Sequence, residues 1–236
     1  MWPEKSHVKY TDGRTCNCPD CLKARVNEIV KEGDAIRIKT LDEICVECGT
    51  DKASVHPVKG HGYAFHYEKW FSPVRCSAVK LLEIGVGGGE SIRAWLEYFG
   101  DTKIFGVDIV QNTNIYNTRS CNSTKYTFTH GIQESEVFWQ CFIADHGKDW
   151  DIIIDDGGHF NNQVVTSFKC LWPVLKSGGL YCIEDLGVSY GAGSIFLTPG
   201  WPNHMDFIKD MLDQINHGDE IESLYFAKEL AIIRKK

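Results

Sequence analysis

One stretch constrains this chain more than any other: Glu83-Ile84-Gly85-Val86-Gly87-Gly88-Gly89. It ends a short apolar run, Val79–Ile84, and leads into Ser91–Phe99, whose Ile92, Trp95, Leu96 and Phe99 share one helical face. A strand that turns through glycines into a helix lets a ligand approach the main chain closely. Nineteen residues beyond Gly89, Asp108 stands at the end of the next apolar run, Lys103–Ile109. An acid in that place can accept both hydroxyls of a ribose.

Two ligands compete for such a turn. A dinucleotide site asks for G-x-G-x-x-G, so that pyrophosphate rests on the helix N-terminus. Counted from Gly85 the sixth position is Glu90, and counted from Gly87 it is Ile92, so neither register fits. Glu90 would also set negative charge beside a pyrophosphate. An acid, Glu83, opening E-x-G-x-G-x-G suits a ligand with a cationic amino-acid end and no phosphate. S-adenosylmethionine is such a ligand.

The remaining elements read as alternating strands and helices. Tyr126–Thr129 is a weak strand, Glu134–His146 a helix and Asp151–Asp155 a strong strand. Gln163–Leu175 is helical, Ser177-Gly178-Gly179 ends it, and Leu180–Ile183 is another strong strand. Met205–Ile215 is helical, and Ile221–Phe226 with Ala231–Arg234 forms a closing hairpin. This alternation predicts an α/β fold: a mostly parallel sheet with helices on both faces and an antiparallel C-terminal hairpin. Residues 1–45 read as a Cys-rich N-terminal extension, 46–75 as a lead-in or lid segment and 76–236 as the core domain. No internal repeat is present.

Ligands of such sheets sit outside the carboxyl ends of the strands. Two acidic clusters follow strands there: Asp155-Asp156-Gly157-Gly158-His159 and Glu184-Asp185. Carboxylates crowded in one crevice raise each other's pKa unless a counter-charge joins them, and a hard divalent cation such as magnesium resolves the conflict. No thiolate belongs to this cluster, so zinc is poorly supported there. His159 is a candidate base for a substrate hydroxyl, whose proton a metal would loosen. Taken singly, each of these residues could equally be a helix cap or a solvated loop side chain.

The sequence from Glu83 to Gly89, Asp108, the Ser177-Gly178-Gly179-Leu180 turn and the hairpin together resemble class I S-adenosylmethionine-dependent methyltransferases, over about 76–236. D-D-G-x-H followed by a helix, then L-x-P-x-L-x-x-G-G, a strand and E-D-L resembles the metal-dependent sugar O-methyltransferases of macrolide biosynthesis, to which the cephalosporin-hydroxylase-like proteins are related. The resemblance implies a Rossmann-like sheet, methyl transfer to a hydroxyl of a sugar or glycosylated natural product, and magnesium held by Asp156, Glu184 and Asp185, with His159 as base. It implies a donor site of Glu83, Gly85, Gly87, Gly89, Asp108 and Asp155, with Gln133 near the adenine. Gly49 to Lys52, His61 to Tyr63 and Tyr67-Glu68 resemble the segment that closes over donor and acceptor in that family, which makes Tyr63 and Tyr67 lid candidates and adds Tyr63 to the donor site. The Cys-rich start is not part of that pattern.

Two alternatives remain: a hydroxylase or nucleotide-dependent oxidoreductase on the same sheet, or a non-catalytic module that binds S-adenosylmethionine. Cys18-x2-Cys21 and Cys45-x2-Cys48, 23 residues apart, could hold a structural zinc ion or stay as free thiols, Cys16 among them. Gly187–Asn203 is a long uncharged loop whose Tyr190, Phe196 and Trp201 could stack on an acceptor.

The 236 residues carry 25 Lys and Arg against 32 Asp and Glu, a net charge of −7, so nucleic acid is not the expected partner. The opening residues have no signal-peptide core, and the uncharged stretch Gly187–Met205 is broken by glycines and prolines, which argues against a membrane span. Ten cysteines fall below the density of a disulfide scaffold (~8–10%), and a reducing, cytoplasmic setting is expected. The expected partner is a small hydroxylated acceptor, and a homo-oligomer is left open.

Overall fold

The computed structural model describes residues 38–111, 125–190 and 194–236. The described elements are α1 (Leu41–Cys48), α2 (Tyr63–Phe71), β1 (Ala78–Ile84), α3 (Glu90–Tyr98), β2 (Asp101–Asp108), β3 (Tyr126–His130), α4 (Glu136–His146), β4 (Trp150–Asp155), α5 (Asn161–Leu171), β5 (Leu175–Ile183), α6 (His204–His217), β6 (Ile221–Ala227) and β7 (Leu230–Lys235). The chain divides into two compact units, Met1–Val79 with Arg93–Thr102, and Lys80–Ile92 with Lys103–Lys236.

The second unit is organised by a seven-stranded sheet in the order β3-β2-β1-β4-β5-β7-β6. The pairs β2–β3, β1–β4 and β4–β5 are parallel, and β7 runs antiparallel to β5 and β6. This is the expected α/β sheet with its closing hairpin. From β1 the order runs to β2 on one side and to β4 on the other, which leaves a crevice at the reversal. Register makes the crevice edge even: Ile84 lies opposite Asp155, and Asp155 opposite Ile183. Gly85, Asp156 and Glu184 therefore leave the sheet side by side.

The strands of this unit are apolar where α4 and α5 pack on the sheet. Leu82, Ile84, Ile153, Tyr181 and Ile183 are buried with Trp139 and Phe142 of α4 and Val164 and Leu171 of α5. Trp150 opens β4, fully buried, with Phe105 edge-on at 4.9 Å and the Lys80 ammonium 4.0 Å above its ring. Ser135 caps α4, its hydroxyl accepting from the Phe138 N–H at 3.1 Å.

One boundary differs from the sequence reading. The helix expected to reach Leu175 ends at Leu171, because Pro173 forces a short 3-10 turn over Trp172–Val174. Strand β5 then starts at Leu175 and absorbs Ser177-Gly178-Gly179 as a bulge: Trp150 pairs with Leu175, but Ile152 already pairs with Leu180. Gly178 takes φ 75° there.

In the first unit α1 opens with a capping box, Thr40 accepting from the Glu43 N–H while Glu43 reaches back to the Thr40 N–H. Its core is aromatic: Tyr67 stacks on Phe71 at 4.8 Å, and Trp95 meets both rings edge-on at 5.8 Å. Glu68 ties this unit together, accepting from the Leu41 N–H at 2.6 Å and the Tyr98 hydroxyl at 3.0 Å. Burial and the Glu68 carboxylate push the Tyr98 phenol well above its ordinary pKa. Among the described residues no helix is long and apolar enough to cross a membrane.

Candidate active site

The glycine turn after β1 is built as its sequence predicts. Gly85 has φ 83°, and a Cβ on it would lie 1.9 Å from the Asp156 carbonyl oxygen, so only glycine lets the two strand ends meet. Gly89 closes the turn with its N–H on the Val86 carbonyl at 2.9 Å. Glu83 is fully buried and accepts from the Ser91 hydroxyl at 2.9 Å, which fixes the start of α3 to the strand. Asp108 stands at the end of β2. Its Oδ2 accepts the N–H groups of Val86 at 2.8 Å and Gly87 at 3.0 Å, and its Oδ1 that of Val110 at 2.8 Å. It thereby sets the conformation of the glycine turn, and with about four lone-pair sites on a carboxylate it keeps capacity for a ribose hydroxyl.

The D-D-G-G-H segment splits where β4 ends. Asp155, the last residue of β4, is 1% exposed, whereas Asp156 is half-buried at the sheet edge. The Asp155 carboxylate accepts from the Ser167 hydroxyl at 2.5 Å, the Gln133 amide at 2.7 Å and the Tyr181 hydroxyl at 3.4 Å. Burial pushes its pKa up to about 6, with the Ser167 and Gln133 hydrogen bonds opposing the rise.

Asp156, His159 and Asp185 come together. His159 Nε2 lies 3.5 Å from an Asp185 oxygen and 4.0 Å from an Asp156 oxygen, and all three side chains are partly open to solvent. Their ligating atoms fall within 4.8 Å of one another. Two carboxylates in a partly solvated pocket fit a hard divalent ion that takes oxygen ligands and keeps some of its waters, with the imidazole beside them. Glu184 is 3% exposed and is not part of this trio, although its N–H is held by the Asp155 carbonyl at 3.0 Å. His159 and Asp185 have φ of 57° and 56°. For residues with a Cβ that backbone costs about 1–2 kcal/mol. Both positions lie in the segments that follow β4 and β5 at the crevice.

The loop that follows E-D is anchored from the same place. Asn161, 1% exposed at the start of α5, donates from Nδ2 to the carbonyls of Thr198, Trp201 and Pro202 at 3.1–3.3 Å, and its Oδ1 accepts the Thr198 N–H at 2.7 Å. Phe196 is thus set edge-on to His159, ring centroids 6.4 Å apart, while Tyr190 is well exposed and Trp201 partly so. Residue type alone gave no sign of Asn161's part.

Three further sequence expectations concern Gln133, the tyrosines Tyr63 and Tyr67, and the cysteine pairs. Gln133 is 7% exposed and its amide is bonded internally, to Asp155, Ser167 and the Gly158 N–H. Tyr63 and Tyr67 are buried within the first unit, Tyr63 with its hydroxyl 3.1 Å from His61 Nδ1 and Tyr67 in the aromatic stack. Cys18 and Cys21 lie outside the described residues; Cys45 is fully buried in α1 and Cys48 half-buried, and nothing found supports zinc there.

A reversal crevice flanked by a glycine turn and Asp108, with an antiparallel β7 beside β5, defines the class I methyltransferase fold. Comparison with known proteins narrows this. The chain is 30% identical over 222 residues to the L-olivosyl-oleandolide 3-O-methyltransferase of Streptomyces antibioticus, covering 89% of this chain and 54% of that protein. It is 34% identical over 169 residues to the demethylmacrocin O-methyltransferase of Streptomyces fradiae, covering 66% of this chain and 40% of the relative. Among solved structures it superimposes with a TM-score of 0.73 and 29% identity on the MycE methyltransferase of the mycinamycin biosynthetic pathway in complex with Mg, SAH and mycinamycin VI, over 89% of this chain and 58% of that one. No family model matches. The chain thus has the class I S-adenosylmethionine-dependent methyltransferase fold and resembles the macrolide and sugar O-methyltransferases. It spans 54% and 40% of the length of these two curated relatives.

Proposed function

We propose that this chain transfers a methyl group from S-adenosylmethionine to a hydroxyl of a sugar-bearing small molecule, with magnesium at the Asp156 and Asp185 carboxylates. The observation that carries this reading is the convergence of Asp156, His159 and Asp185 at the sheet edge beside the glycine turn. The relatives are named as sugar O-methyltransferases, and the MycE complex holds Mg and SAH.

In this reading the glycine turn and Asp108 seat the donor, whose cationic end approaches main chain that no side chain blocks. Glu83 keeps α3 docked behind the turn. Asp156 and Asp185 would hold the metal, with Glu184, next to Asp185 in sequence, proposed as a third carboxylate for it. A metal bound there would lower the pKa of an acceptor hydroxyl, and the donor would supply an electrophilic methyl group and leave as S-adenosylhomocysteine. His159 Nε2, placed between two carboxylates, takes the hydroxyl proton as the carbon–oxygen bond forms. Phe196 and the anchored loop form a wall for the acceptor beside His159. Positioning of the two substrates contributes much of the acceleration.

The test uses methyl-labelled S-adenosylmethionine and a panel of deoxysugar-bearing macrolides, with and without EDTA. Label should appear in a product, stop with EDTA and return with magnesium. H159A should lose at least ~10²-fold in turnover, the scale of a general base, with S-adenosylhomocysteine still bound. Undiminished turnover in either the chelated enzyme or the variant removes that role.

A further inference from the structure

We propose that Gln133 is a positioning residue for the metal-binding and base-bearing loop, acting from beneath it rather than by contact with the donor. The inference rests on the function proposed above. Its basis is how the amide of Gln133 is used. Nε2 donates to Asp155 Oδ1 at 2.7 Å and to Ser167 Oγ at 3.3 Å, while Oε1 accepts the Gly158 N–H at 3.1 Å. One planar group thus grips the residue before Asp156 and the residue before His159. The intervening turn has little freedom left.

Contact is as tight as chemistry permits. A Cβ on Gly157 would lie 2.1 Å from Gln133 Oε1, so the glycine exists there for the amide to fit beneath. Gln133 is itself fixed: Trp139 donates from Nε1 to its carbonyl at 2.8 Å, and both residues are buried. Ser167, fully buried on α5, completes the brace by donating to the other Asp155 oxygen at 2.5 Å. The backbone strain at His159 needs such a support, because a left-handed histidine relaxes unless its neighbours hold it. A glutamine whose two amide ends are committed in this way has little left to offer a nucleobase.

Two variants of the full chain test this, with Mn2+ as the metal probe followed by electron paramagnetic resonance and S-adenosylhomocysteine as the donor probe followed by calorimetry. Q133M keeps the volume and removes both amide ends; S167A leaves the amide's bonds to Asp155 and Gly158 in place and removes the Ser167 contacts to Gln133 and to Asp155. The unmodified chain must first bind both probes; if it binds neither, the parent function fails. With that established, Q133M should weaken Mn2+ binding about tenfold and broaden its spectrum, S167A should do so more weakly, and both should bind S-adenosylhomocysteine within about twofold of the unmodified chain. Unchanged Mn2+ affinity and spectrum in Q133M overturns the proposal. So does a loss of S-adenosylhomocysteine affinity as large as the loss for Mn2+, which would return Gln133 to the donor site.

Discussion

Removing the Ser167 hydroxyl should destabilise the chain by an amount that depends on pH, in a direction set by Asp155. The Asp155 carboxyl is raised from 3.8 to about 6 by burial. A carboxyl raised on folding favours the native state most when both states are protonated, below about pH 4. That advantage is lost as pH rises through about 6, a change on the order of 3 kcal/mol at 1.36 kcal/mol per unit. The Ser167 bond at 2.5 Å opposes this loss, because it stabilises the ionised form. A hydrogen bond to a charged group is worth about 1.5–3 kcal/mol, and a neutral one about 0.5–1.5. With Asp155 protonated the Ser167 hydroxyl can also turn to the Gln163 carbonyl, 2.9 Å away. At roughly 3 °C per kcal/mol for a chain of this size, S167A should lower the melting temperature by about 6 °C at pH 8 and about 2–3 °C at pH 5. Scanning calorimetry of metal-free protein at the two pH values reads this directly. Equal losses at both, or a larger loss at pH 5, would refute the assignment of a charged Asp155 to this bond.

Three other outcomes follow from the geometry. G85A should be destabilised by about 2–4 kcal/mol, since the new Cβ meets the Asp156 carbonyl at 1.9 Å, whereas G87A, with φ 52° but nothing within 4 Å, should lose only about 1 kcal/mol; chemical denaturation compares the two. N161L should free the loop without unfolding the sheet, seen as faster hydrogen exchange at Thr198 and Trp201 and early proteolytic cleavage between 194 and 203. His204 is buried with its pKa lowered, so its burial favours the native state above about pH 6.5 and opposes it as pH falls; H204F should reduce the loss of thermal stability between pH 7.5 and 6.

The sheet was legible because its signal is local. Apolar runs ending in Gly or Asp mark the carboxyl ends of β1, β2 and β4, and the structure puts the ends of β1 and β4 in register. The start of β5 was not, because Ser177-Gly178-Gly179 has the composition of a turn and only pairing with β4 shows it to be a bulge. Helix α1 carried a visible signal in Thr40-x-x-Glu43, masked by the cysteines around it. At the crevice the residue types were readable but their directions were not. Asp155 and Asp156 are the same residue type, yet Asp155 is the buried last residue of β4 and Asp156, one step past the strand, is partly open to solvent. The supports of the site, Gln133, Ser167 and Asn161, come from distant positions, and no spacing rule connects them to Asp155 or to the loop.

The claim on which the account turns is that carboxylates following two neighbouring strands share a divalent ion beside the glycine turn. Anomalous diffraction from crystals grown with Mn2+ and S-adenosylhomocysteine measures this directly. The account predicts a peak bounded by Asp156 and Asp185, with His159 Nε2 nearby but too far to bond the ion. A map with no peak between those carboxylates, or with the ion bonded to His159, would contradict it.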